Sequence, residues 1–478
     1  MTPNGEQVLA QLDAYRAHDA PTHGGRVLSY VYDSGLAELD ALAGEAAARV
    51  QAVNGLDPTT FPSVALMQAD LLAFAREVLH GGPDTTGAVT SGGTESILLA
   101  VLAARERWRA THPGDARTPR VVAPSTAHAA FHKAAHYLGL DVVAVPVDPG
   151  TGTLPAQRLA EHLDEATALA VASAPAYPHG VLDPVAGIAS AAAQRGVPCH
   201  VDACVGGFVL PWWEGAEPWD LSVPGVTSIS ADLHKFGYAP KGASVLLVTD
   251  PELDRARYYA LTDWPGYPVV NPTVLGSRSA MSLAAAWAVV TRLGSRGYAD
   301  LTAGVDRATT AVRLVVEGIV GLRVVGEPVG PLLAVASDPG VPGHLRVDPH
   351  AWAQAVATRG FVLQGQPALT QTDGTMLPRT THLTLTPASV GVLEELGAAL
   401  VAGAEAVRGR PAPRPDATDG PAEVPDPVAL AQGAREGGEL DLPAVLALVE
   451  ALPREQSARL LVDFLAAFTA PPLPRASS

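Results

Sequence analysis

Ala168-Leu-Ala-Val-Ala-Ser173, Pro184 to Arg195 and Pro198-Cys-His-Val-Asp202 follow one another closely in the chain and differ in character. The outer two are short, continuous apolar runs; the middle one is alanine-rich and helical in pattern. Apolar runs without period-two alternation predict strands covered on both faces, and a helix between two of them predicts a parallel crossover. The pattern extends in both directions. Val121–Ala123 and Val142–Val147 read as strands flanking a helix at Ala127–Leu138, and Val226–Ser230 and Ala243–Val248 read as further strands. The expected fold class is therefore α/β, a large domain with a mostly parallel sheet flanked by helices.

Helical patterning is expected at Glu6 to Arg16, Gly35 to Val53 and Ser63 to His80, and Ser279 to Glu317 reads as one or two long helices. Leu322–Val325, Leu332–Ser337 and His382–Thr386 read as strands around a helix at Pro349–Arg359, a smaller C-terminal α/β domain. The expected organisation is an N-terminal helical segment (1–60), a large domain (61–315), a small domain (316–407), a flexible linker rich in Pro, Gly and charge (408–438), and a helical extension (439–478).

The chain has 478 residues, a formal charge of −17, 47% hydrophobic and 17% charged residues. That charge disfavours nucleic acid and anionic membranes as partners. No apolar stretch reaches the roughly 20 residues of a membrane span, and the start of the chain lacks the pattern of a secretion signal. With two cysteines, Cys199 and Cys204, no disulfide framework is expected, and the expected compartment is cytoplasmic.

Four features carry chemistry. Thr90-Ser-Gly-Gly-Thr-Glu-Ser-Ile97 leads into an apolar helical run, so its backbone N–H groups and the positive helix end can hold an anion such as a phosphate. It also reads as an ordinary glycine turn before a helix. Asp202, in His200-Val-Asp-Ala-Cys-Val-Gly-Gly207, ends a strand where open α/β sheets place ligand residues. A carboxylate there needs a cation, or else caps the next turn. Lys235, in Asp232-Leu-His-Lys-Phe-Gly-Tyr-Ala-Pro-Lys241, follows a strand within a tight turn, where burial and nearby cations are expected to depress its pKa. His128-Ala-Ala-Phe-His-Lys-Ala-Ala-His136 places three histidines on one helix face. That stripe admits a metal-dependent hydrolase, although positions eight apart lie about 12 Å apart on a straight helix and cannot share one ion. His128, at the helix start, is better placed to stack on a ring. Phosphate turn, stacking His, strand-end Asp and Lys together supply what pyridoxal 5'-phosphate (PLP) needs, and no metal is expected.

Thr90–Ile97, His200–Phe208, Ser228–Val245 and Asp263–Arg278 resemble the sphingosine-1-phosphate lyase family, within the group II PLP-dependent decarboxylases. The resemblance runs from about Gly25 to Pro387. It implies the PLP-dependent transferase fold type I and a homodimer with active sites shared across the interface. Lys235 would be the Schiff-base lysine, Asp202 the partner of the pyridine nitrogen and His128 the stacking residue. Gly93, Thr94 and His234 would hold the cofactor phosphate, and Gly276-Ser277-Arg278 would reach the neighbouring subunit's site. Tyr32 would be an active-site tyrosine; Lys241, Asn54 and Ser277 would meet the substrate.

The family's Asn-Pro-Leu-His is here Asn54-Gly-Leu-Asp57, and its Trp-Pro-Gly-Gly is Trp264-Pro-Gly-Tyr267. A carboxylate at Asp57 would repel a substrate phosphate and suit an amino or hydroxyl group. The expected activity is cleavage of a β-hydroxy amine, phosphorylated or not, to an aldehyde and a smaller amine. Amino-acid decarboxylation is the near alternative, and a non-catalytic scaffold of this fold is a third reading.

Overall fold

A computed structural model describes residues 3–411, 426–435 and 441–471. The central sheet has seven strands: β1 Thr86–Thr90, β2 Arg120–Pro124, β3 Asp141–Val145, β4 Thr167–Ser173, β5 Cys199–Asp202, β6 Val226–Ala231 and β7 Ser244–Val248. Their order is β1-β7-β6-β5-β4-β2-β3. Strands β2 to β6 pair in parallel, whereas β7 runs antiparallel to both β6 and β1. All seven residues of β4 and all four of β5 are buried, as unalternating apolar runs demand.

The sequence gives weak notice of β1, whose Thr86-Gly-Ala-Val-Thr90 run is short and holds a glycine. Pairing explains that glycine: a Cβ at Gly87 would lie 1.9 Å from the Leu246 carbonyl oxygen. Helices cover both faces of the sheet. They include α3 Pro62–Val78, α4 Gly93–Thr111, α5 Ala129–Leu138, α7 Val185–Ala193 and the first half of α9 Met281–Glu317; α1 Gly5–Arg16, α2 Ala37–Arg49, α6 Ala156–Ala160 and α8 Pro251–Arg255 are the remaining helices of this part. The long segment expected as one or two helices is both, because Gly294, at φ +53°, breaks α9. Two further strands, β8 Tyr259–Leu261 and β9 Val269–Asn271, form a hairpin that the sequence reading missed.

The smaller unit is an antiparallel sheet of β10 Leu322–Val324, β11 Leu332–Ser337, β12 Gln364–Gln366 and β15 Thr380–Thr384, with a small hairpin of β13 Leu369–Thr370 and β14 Met376–Leu377. Helices α10 Pro349–Ala357 and α11 Leu393–Val407 pack on it around the buried Trp352, whose indole N–H donates to the Leu400 carbonyl at 2.9 Å. The first 60 residues are not helical throughout. Leu28 exchanges backbone bonds with Val362 and Thr384 and lies inside the small unit's core.

Part of the expected linker is ordered: Pro427–Arg435 forms helix α12, packed against α14 Arg454–Thr469, while 412–425 and 436–438 lie outside the described residues. Within the expected extension, α13 Leu442–Ala451 docks on α10 and β12, pinned where Arg379 bridges Asp348 at 3.1 Å and also pairs with Glu450. Residues 439–440 and 472–478 lie outside the described set.

Truncating Trp352 removes a fully buried indole and its hydrogen bond. Trp352→Ala should destabilise the small unit by about 3–5 kcal/mol, read as a lowered urea midpoint.

Candidate active site

The carboxyl ends of β4, β5 and β6 open onto a cavity of about 390 Å³. Each wall is supplied by the turn that follows an element, because in a parallel sheet those turns all emerge on one edge. Asp202 ends β5 and Asp232 follows β6, with His234 and Lys235 in the next turn. Gly92, Gly93 and Thr94 open α4, and His128 caps α5. The structure thus brings Lys235, Asp202, His128, Gly93, Thr94 and His234 to one cavity.

The mouth of α4 fits an anion. Its N-cap is Gly92, which offers no side-chain cap, so first-turn N–H groups stay available. Bulk is excluded there: a Cβ at Gly93 would meet the Cys204 sulfur at 2.7 Å and the Asp232 carboxylate at 2.8 Å. Glu95 braces this turn, accepting from Ser91 N and Oγ at 2.6 Å and from Val274 N at 2.7 Å.

Lys235 differs from expectation. Burial opposes its charge, but the Asp232 carboxylate lies 2.9 Å from Nζ and more than offsets that, so the pKa is raised rather than depressed. Asp232 is likewise held below the usual carboxylate range: burial would raise it, but Lys235 and then His234 pull it down. The cations expected near Lys235 are outweighed by this one acid. Asp202 is 7% exposed, and one of its oxygens accepts from Cys204 N at 3.1 Å.

His128 Nδ1 accepts from Ala130 N at 3.2 Å, which leaves the ring proton on Nε2 and fixes the ring at the helix start. His132 and His136 lie exposed along α5, and among the described residues no group of three or more His, Cys, Asp or Glu side chains is placed to hold a metal.

Tyr32 packs edge-on against Phe236 at 5.3 Å, and Lys241 Nζ sits 4.4 Å above its ring while donating to the His234 carbonyl at 3.1 Å. Burial, opposed by the Lys235 charge, raises the Tyr32 phenol. Burial, then repulsion from Lys235, lowers Lys241 to about 8.

Four expected residues lie elsewhere. Gly276 and Ser277 are exposed and outside the cavity lining, and Asn54 binds Ser277 Oγ at 3.2 Å rather than facing the cavity. Asp57 is exposed and occupied by its own turn, accepting from Thr59 N at 2.9 Å, Thr59 Oγ1 at 2.6 Å and Thr60 Oγ1 at 2.7 Å. These bonds, from Thr59 first, hold its carboxyl near 2.

Sequence reasoning missed Asp232, Tyr177 and Gln364. Asp232, three residues before Lys235 and just past a strand, was open to suspicion as its counter-ion. Tyr177 lines the cavity and donates to Gln364 Oε1 at 2.7 Å, which also accepts from Ser29 at 2.6 Å. Nothing local in the sequence links residues so far apart.

Residues 23–261 match the family model "Pyridoxal-dependent decarboxylase conserved domain". The chain is 37% identical over 337 residues to sphingosine-1-phosphate lyase 1 of Mus musculus, covering 70% of this chain and 58% of that protein's length. A probable sphingosine-1-phosphate lyase of Legionella pneumophila is 37% identical over 255 residues, 53% of this chain and 42% of the relative. Among solved structures, the sphingosine-1-phosphate lyase of Burkholderia pseudomallei superposes with a TM-score of 0.78 at 34% identity, covering 85% of this chain and 92% of that one. Glutamate decarboxylase of Lactobacillus brevis, at 18% identity, a TM-score of 0.74 and coverage of 86% and 94%, shows the shared fold.

The cofactor of this site is PLP, and the geometry fits it. The uncapped α4 start suits its phosphate, Asp202 suits a protonated pyridine, and Lys235 is the buried amine. Gly93→Ala should weaken PLP binding at least about tenfold, or about 1.4 kcal/mol, in a fluorescence titration, with an unchanged far-ultraviolet spectrum. Asp232→Asn, which removes the acid that keeps Lys235 charged, should shift the pH dependence of PLP uptake to lower pH. By that family match and that superposition, the chain belongs to the pyridoxal-dependent decarboxylase family, on the branch that holds the sphingosine-1-phosphate lyases.

Proposed function

We propose that the chain is a PLP-dependent aldehyde-lyase that cleaves the Cα–Cβ bond of a phosphorylated β-hydroxy amine, giving an aldehyde and a smaller phosphorylated amine. The observation that carries this reading is the partly buried Lys241, whose ammonium projects over Tyr32 beside the Lys235 cavity. A cation there, in addition to the α4 start that suits the cofactor's phosphate, fits a second anionic group. Asp57 lies exposed in its own turn, bonded to Thr59 and Thr60, and does not line this cavity.

When bound, PLP supplies an electron sink for the pair released as a bond at Cα breaks. The chain's own residues supply the rest. Asp202 holds a proton on the pyridine nitrogen. His128 fixes the ring from one side. Asp232 holds Lys235 in place through the ion pair. Tyr32, with its phenol kept protonated by burial, donates a hydrogen bond rather than acting as the base. Lys241 orients the substrate phosphate.

The remaining assignments follow the same reading. The exposed Gly276 and Ser277, with Asn54 bonded to Ser277, would complete the site of a second copy, and the exposed apolar side chains Trp264, Tyr267, Val270 and Leu275 in the same stretch of chain are of the kind a partner covers. The working unit is then a homodimer, the small-molecule amine its substrate, and the boundaries 61–315 and 316–407 mark its two domains. No described helix is long and apolar enough to cross a membrane.

Incubating the purified PLP-loaded protein with a phosphorylated sphingoid base should release a long-chain aldehyde and phosphoethanolamine. Carbon dioxide from an amino acid, without aldehyde, would replace this reading with decarboxylation. Because Lys241 is cationic below about 8 and neutral above it, KM for the phosphorylated substrate should rise as pH passes about 8. Lys241→Ala should raise KM at neutral pH more than about tenfold, while kcat changes less, and remove that rise.

A further inference from the structure

A second acid lies behind Asp202. Asp183 is 2% exposed, in the segment between β4 and α7. One oxygen accepts from Ser173 N at 2.8 Å, and Asp183 N donates back to Ser173 O at 3.1 Å. Ser173 is the register partner of Asp202, and Ala174 N donates to the Asp202 carbonyl at 2.8 Å, so both carboxylates hang on the same pair of strand ends. The other Asp183 oxygen is buried with no hydrogen-bond partner.

A buried carboxylate with an unpaired oxygen is costly unless it meets a cation or takes up a proton. Among the described residues, the charged group that acts on Asp183 is Asp202, and no cation does. His200, on β5 beside them, is held between the Ser228 and Ser230 hydroxyls at 2.8 and 3.2 Å and is kept neutral by burial. Asp202 thus has Lys235 in the same cavity, whereas Asp183 behind it has no such cation among the described residues. Burial, and then the Asp202 charge, push the Asp183 carboxyl up to about 7.

We propose that Asp183 is a positioning residue that sets how much negative charge the Asp202 strand end presents to the pyridine nitrogen of PLP. This rests on the assignment of Asp202 to that nitrogen. In the cofactor-free protein Asp183 carries a proton below about pH 7. When the pyridinium N–H comes to lie beside Asp202, Asp183 releases its proton to solvent. The pair then holds two charges against one cation.

The linkage has a definite sign. Cofactor binding lowers the Asp183 pKa, so its contribution to affinity is small below that pKa and grows above it. The test is the PLP dissociation constant of the full chain and of Asp183→Asn from about pH 6 to about pH 9. A cofactor-induced shift of one unit predicts near-equal affinities at the acid end. At the alkaline end the wild type should bind about tenfold more tightly. A constant ratio across that range overturns the proposal.

A second measurement needs no variant. Infrared difference spectra of the wild-type protein with labelled aspartate should show a protonated carboxylic-acid band that titrates near 7. On adding PLP that titration should move to lower pH. Absence of the band overturns the proposal whatever the lyase assay gives. Conversely, a titrating band in a protein that cleaves no β-hydroxy amine upholds the Asp183 role and removes only the substrate reading.

Discussion

The buried ion pair between Lys235 and Asp232, 2.9 Å apart, is the constraint on which the site depends. The half-buried ammonium lines the cavity and is held there by an acid that is itself nearly inaccessible. The pair fixes where Lys235 points and makes its amine slow to give up a proton. It also crowds the start of α4, so that only glycine fits at position 93. Sheet topology puts the pair there. β6 ends at Ala231, the chain turns through Asp232 to Lys235, and the same turn carries Lys241 to the Tyr32 ring before β7 leaves antiparallel.

Charge is arranged in layers around that pair. Asp202 faces the cavity and Asp183 stands behind it, while His200 is kept neutral between two serines. Lys241 lies farther out, where burial and Lys235 bring it to about 8. Acids thus gather where a pyridinium belongs, and a free cation and a bare helix start gather where phosphates belong. This sorting, more than any single residue, distinguishes a cofactor site from the glycine turn, capping Asp and surface lysine that each motif resembles alone.

Much of the fold was legible because buried parallel strands write themselves as unbroken apolar runs, as in Ala168–Ser173 and Pro198–Asp202. β1 and β12 were not, since Gly87 and Gly365 interrupt runs too short to stand out, and tertiary pairing alone makes them strands. Lys235, Asp202, His128 and Gly93 could be named because each sits at a strand or helix end with a local signature. The Lys235 pKa was misjudged because its sign hangs on the orientation of Asp232, which no spacing reveals. Asp57 was assigned to substrate by its position in a motif, while the two threonines after it, Thr59 and Thr60, already claim its oxygens. Tyr177, Ser29 and Gln364 meet across hundreds of residues.

The sequence contains three lysines, Lys133, Lys235 and Lys241, which makes the central claim directly measurable. Reducing the PLP-loaded protein with borohydride and mapping its peptides by mass should place the pyridoxyl group on Lys235 alone. A label on Lys133 or Lys241, or no label at all, would contradict the account.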